Sequence, residues 1–102
     1  VNVIFLCKKL GNLIIYAPII NQLIRSATSI GANYAEANGA SSRSDFRNKI
    51  YICKKECIET KYWLGVLKDS GVENLDGIKV LVQEVHELTL IFSKIIGTLN
   101  NK

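Results

Sequence analysis

A chain of 102 residues with 48% hydrophobic and 22% charged side chains is long enough for one domain with one modest core, and too apolar to be disordered. No apolar run approaches the roughly 18 residues that cross a bilayer, so a membrane span is not expected. The formal net charge of +4, with a pI near 9.1, permits an anionic partner without requiring one.

The opening residues, VNVIFLCKKL, have no basic segment before them and no small-residue cleavage site. A secretory signal is therefore not expected, and the cytoplasm is the expected compartment. Val3, Ile4, Leu6 and Leu10 can share one helical face, with Lys8 and Lys9 near the C-terminal end, where cations are favoured. Gly11 is a plausible stop. Ten residues make a helix only about 15 Å long. The expectation is that this first helix is truncated, the end of a longer one, and that it leaves apolar surface on its partners uncovered.

Residues 12–17 read as an apolar connector, and Pro18 suits the first turn of a second helix, where its missing N–H costs nothing. From there Ile20, Leu23, Ala27, Ile30 and Tyr34 recur at three and four, and the helix is expected to end near Asn38-Gly39. Ser42 to Asp45 resembles a capping box. It opens a third helix, from about Arg43 to Asp69, with an unbroken heptad seam: Phe46, Ile50, Cys53, Cys57, Thr60, Leu64 and Leu67. Such a rod, roughly 40 Å long, needs partners, because propensity alone gives it little stability. Gly71 is its stop, and Asn74 or Asp76 can cap a fourth helix with the seam Ile78, Leu81, Val85, Leu88, Phe92, Ile95 and Leu99. Short connections make neighbouring helices antiparallel. No strand-like alternation competes. The predicted fold is all-α, an antiparallel up-down-up-down four-helix bundle forming a single domain over residues 1–102.

Residues 22–36, QLIRSATSIGANYAE, are more specific than any periodicity. Together with Ser44-Asp45-Phe46, Lys55-Glu56-Cys57-Ile58-Glu59-Thr60 and Tyr62-Trp63-Leu64, they resemble the bacterial four-helix-bundle family named after proteins encoded in 23S rRNA intervening sequences. The resemblance runs from Leu10 to the C-terminus; the family's longer first helix is the departure. It implies the four-helix bundle and a ring-shaped homo-oligomer, a pentamer. Some relatives are accessory proteins to reverse transcriptases in diversity-generating retroelements and bind nucleic acid through a basic surface. RNA or DNA, and a protein such as a reverse transcriptase, are therefore the partners implied. Most members have no known activity, and the family name records where genes were found rather than an RNA function.

Two groups of residues carry candidate chemistry. Arg25, Ser29, Asn33 and Glu36 line one face of the second helix, with Ser26 beside them. Arg25 and Glu36 lie about 16 Å apart along the axis, so each needs a partner on another helix, another subunit or a ligand. Ser26, Ala27, Gly31, Ala32 and Ala35 permit close approach, and Gly31, which costs about 1 kcal/mol against Ala, suggests tight packing there. This signature reads as an interhelical or intersubunit contact, or as a ligand site.

The second group is a basic stripe on the third helix. Arg47, Lys54, Lys61 and Lys68 repeat every seven residues, with Arg43 one turn before. With Arg25 they are the nucleic-acid-binding candidates, a line of cations that could track phosphates in a salt-dependent way. The competing reading is a solvated face, with lysine stems over apolar surface and ion pairs to Glu84 or Glu87. Tyr51, Tyr62 and Trp63 could stack on bases, although Trp63 adjoins Leu64 and reads as packing.

Metal and catalytic chemistry find little support. Three cysteines, Cys7, Cys53 and Cys57, do not suggest a disulfide framework. Cys53 and Cys57 could face one metal with His86, but no Cys-x-x-Cys pair and no fourth ligand accompany them, so buried packing is preferred. No cofactor is expected. Glu56 and Glu59 form a carboxylate pair of ordinary helical spacing, and no Ser/His/Asp signature or glycine-rich phosphate loop is present. The expectation is a non-enzymatic, homo-oligomeric nucleic-acid-binding or accessory protein; the alternative is a protein–protein scaffold.

Overall fold

A computed structural model describes residues 3–4, 16–71 and 75–101. Three long helices follow one another: α1 (Ala17–Asn38), α2 (Arg43–Asp69) and α3 (Leu75–Asn100). They correspond to the second, third and fourth helices predicted. Val3 and Ile4 are also helical, and Val3 is buried in the core. The rest of the predicted first helix, and the proposed Asn74 cap, lie outside the described residues. The described chain is thus all-α, with three long helices.

Local chemistry sets the helix ends. Pro18 sits in the first turn of α1, where its fixed φ is already helical. Beyond Asn38 the Gly39 N–H returns to the Glu36 carbonyl at 3.1 Å. The Ser42 hydroxyl accepts the Asp45 N–H at 3.0 Å and so caps α2. After Ser70 the chain leaves α2 through Gly71 at φ +80°, the left-handed conformation that a Cβ disfavours.

The hydrogen bonds show how the helices run. Ser26, early in α1, meets Thr60, late in α2, and Glu36 meets Lys49, so the pair is antiparallel. Arg43, at the start of α2, reaches the Leu99 carbonyl at the end of α3, so that pair is antiparallel too. Both outer helices pack along α2 and touch each other little. The Tyr34 and Phe92 rings, 6.2 Å apart and tilted by 53°, are one contact between them. The result is a rod of 48 × 20 × 16 Å.

The core follows the heptad seams, with instructive exceptions. Ile50, Cys53, Cys57, Thr60, Leu64 and Leu67 are fully buried on α2, and Phe46 packs against them half-buried. On α1, Tyr34 is 45% exposed, while Ser26 and Ala37 are buried in its place. Tyr34 meets Phe92 of α3 and stays partly open to solvent, outside the buried seam. On α3 the seam passes from Phe92 to Ile96, with Ile95 only partly buried. A straight helix of 3.6 residues per turn outruns a 3.5-residue repeat, so the buried line steps forward by one position. Gly31 is also a correction: it is exposed, and a Cβ built on it meets nothing within 4 Å among the described residues.

Candidate nucleic-acid interface

Both candidate groups are organised by α2, the helix that α1 and α3 share. On its α1 side lies an ion cluster. The Arg25 guanidinium donates to Glu56 Oε2 at 3.2 Å and to Glu59 Oε1. Glu56 is only 6% exposed, and its other oxygen, Oε1, has no hydrogen-bond partner among the described residues. Arg25 is therefore its counter-charge. The hydrogen bond from Arg25 holds the Glu59 carboxyl below its ordinary value, and Glu59 and Glu56 in turn raise the pKa of Arg25. One turn away, the buried Thr60 hydroxyl lies 2.9 Å from Ser26 Oγ and 2.8 Å from the Glu56 carbonyl. Ser26 also donates to the Leu23 carbonyl at 3.2 Å.

Of the other signature residues, one crosses to α2 and two bond within α1. Glu36 accepts from Lys49 of α2 at 3.1 Å. Asn33 Nδ2 stays within α1, donating to the Ser29 carbonyl at 2.9 Å and to Ser29 Oγ at 3.0 Å. Arg25 and Glu36 thus find their partners on α2 of the same chain. Sequence reasoning read Glu56 only as half of a carboxylate pair. The signal for its burial was available: Glu56 stands three residues after Cys53 and four before Thr60, on the edge of an apolar seam.

The cationic residues lie on the opposite flank of α2, toward α3. Arg43 Nη2 donates to the Leu99 carbonyl at 2.9 Å, which satisfies a C-terminal acceptor of α3. Arg47 and Lys54 are half-buried along the helix pair, while Lys61 and Lys68 are exposed. None of these last four makes an ion pair among the described residues; the pairs there are Arg25 with Glu56 and Glu59, and Lys49 with Glu36. Glu87 instead accepts from Gln83 at 3.4 Å. Arg47 to Lys68 spans about 31 Å of helix.

Beside the stripe runs a second line, farther from the core. Tyr51 is 45% exposed, Ile58 54% and Tyr62 61%. Asn100 Nδ2 donates to the Tyr51 hydroxyl at 3.0 Å. The Tyr62 ring meets Trp63 edge-on, centroids 5.0 Å apart and planes at 76°. Trp63 itself is half-buried against the core. Ile58, seven residues after Tyr51 on the same face, was not singled out from the sequence, although the heptad spacing places it there.

The thiols and the remaining surface complete the inventory. Cys53 and Cys57 are free and fully buried, and Cys53 Sγ lies 3.6 Å from the Ile30 carbonyl. Burial pushes both thiols up, Cys57 to about 11. Among the described residues no cluster of three or more His, Cys, Asp or Glu is placed to hold a metal ion, and no helix is long and apolar enough to cross a membrane. On α3 a shallow apolar groove is lined by Ile91, Lys94, Ile95, Thr98 and Leu99.

Comparison with known proteins places this architecture. The chain matches the model of the 23S rRNA-intervening sequence protein family over residues 3–94. It is similar to the crystal structure of a protein with unknown function from the S23 ribosomal protein family of Bacteroides thetaiotaomicron. The two are 36% identical, with a TM-score of 0.85, over 92% of this chain and 87% of that one. No curated protein matches. The chain belongs to the family of 23S rRNA-intervening sequence proteins.

Proposed function

We propose that this protein is a non-enzymatic, homo-oligomeric nucleic-acid-binding or accessory protein that holds a phosphate backbone along the α3-side flank of α2. The supporting observation is that Arg47, Lys54, Lys61 and Lys68 share one flank over about 31 Å without an ion pair among the described residues. Cations outside ion pairs keep their charge available to phosphates, and releasing condensed counterions drives such binding. Arg25 is the weaker contributor, because Glu56 and Glu59 already engage it.

The architecture proposed is the antiparallel four-helix bundle. The observation in its support is that Val3, within the first predicted helix, is helical and buried in the core. A ring of copies, a pentamer on the strength of the resemblance, would repeat the cationic flank and multiply avidity without new contacts. The proposed setting is cytoplasmic, with RNA or DNA and a protein such as a reverse transcriptase as partners.

Filter binding with structured RNA and DNA at two salt concentrations tests this reading. The expected result is binding that weakens steeply with salt and is lost when Arg47, Lys54 and Lys61 are changed to Glu. Absence of salt-sensitive binding, or binding indifferent to that triple change, rejects it. The scaffold reading draws on the exposed Val80, Leu90 and Ile91 of α3. It would be favoured by a stable protein complex that survives the triple change. Light scattering tests the ring: a monomer at micromolar concentration contradicts it.

A further inference from the structure

We infer that the nucleic acid held by α2 is single-stranded, with unstacked bases lying on Tyr51 and Tyr62; this rests on the phosphate-binding reading above. Two parallel lines on one helix carry the inference. Cations occupy the flank next to α3, and Tyr51, Ile58 and Tyr62, each at least 45% exposed, occupy the line just outside it. A duplex offers phosphates to the first line and nothing to the second, because its bases are stacked on one another. A single strand offers both: a backbone for the lysines and free base faces for the rings.

Geometry also disfavours reading of a duplex. The major groove of B-form DNA, about 12 Å wide, admits one helix. Here α2 carries packed helices on both sides in a body 48 × 20 × 16 Å, so a groove receiving it would meet α1 and α3 as well. The rings are held in place beforehand. Asn100 bonds the Tyr51 hydroxyl at 3.0 Å, and the Tyr62 ring meets Trp63 edge-on at 5.0 Å. A base arriving on Tyr62 therefore lands beside the chain's single tryptophan, which gives the contact an intrinsic reporter.

Fluorescence anisotropy of the full chain with a labelled oligothymidine of about 15 nucleotides, its oligouridine counterpart and a mixed-sequence duplex of equal length tests the inference. The single strands are expected to bind at least tenfold tighter than the duplex and to change Trp63 emission. Tyr51→Leu and Tyr62→Leu should each weaken single-strand binding about tenfold and leave duplex binding unchanged. Tyr51→Phe and Tyr62→Phe, which keep the ring faces, should retain affinity, and circular dichroism confirms that every variant is folded. Duplex binding equal to or tighter than single-strand binding, or leucine variants that bind like the parent, overturns the inference. If the duplex is then still held in a salt-sensitive way that the Glu triple change abolishes, the phosphate-binding function stands without it. If no nucleic acid binds, both fall.

Discussion

Thr60 shows how much a single polar group in the α1–α2 seam can matter. It is fully buried, yet its hydroxyl lies within hydrogen-bond distance of Ser26 Oγ and the Glu56 carbonyl. Thr60→Val keeps the shape and removes the hydroxyl, leaving Ser26 with the Leu23 carbonyl alone. The expected loss is about 1 kcal/mol, read as a lower urea midpoint at unchanged slope. The buried thiols give a pH dependence. Their folded pKa values are raised, so both states carry neutral thiols below the unfolded value of about 8.5, and no stability is lost there. Above it the unfolded chain ionises first, and stability falls as pH rises toward about 11, the folded value for Cys57. Urea midpoints at pH 8 and pH 10 measure this; replacing both cysteines with Ala should flatten the decline.

The three helices differ in how their ends are made, and one junction is sensitive to a single atom. Gly71 follows α2 at φ +80°. Gly71→Ala has room for its Cβ but must adopt the left-handed region, so a loss of about 1 kcal/mol in thermal or urea unfolding is expected. Much of this layer was readable in advance. The Ser42 cap, the Arg43–Asp69 span and the Gly71 stop follow from turn and cap chemistry that acts within four residues. What could not be read depends on neighbours in space. Arg25 called for a partner, but nothing in its spacing identified Glu56 and Glu59, more than thirty positions away. Tyr34 fitted the α1 seam by period, and only the position of α3 turned it toward Phe92. The cationic flank was visible as a heptad repeat, whereas its lack of ion pairs among the described residues required the helices to be set side by side.

Taken together, the described helices form a layer with one shared member. Removing either outer helix leaves the other still packed on α2, whereas removing α2 leaves neither with a substantial neighbour among the described helices. The most protected backbone should therefore lie in α2. Hydrogen exchange followed by mass spectrometry is expected to find the slowest amides between Ile50 and Leu64, with the α3 segment around the open groove at Ile91–Leu99 exchanging sooner. Uniform rates across the three helices would contradict this division.

The seven-residue spacing of Arg47, Lys54, Lys61 and Lys68 has a geometric corollary. An undistorted helix slips about 20° with each heptad, so across three heptads the charges wind roughly 60° around α2. They trace a shallow diagonal. A polymer following them would cross the rod at a slant and enter and leave at different edges, so that in any closed assembly of such rods it would be passed from one copy toward the next.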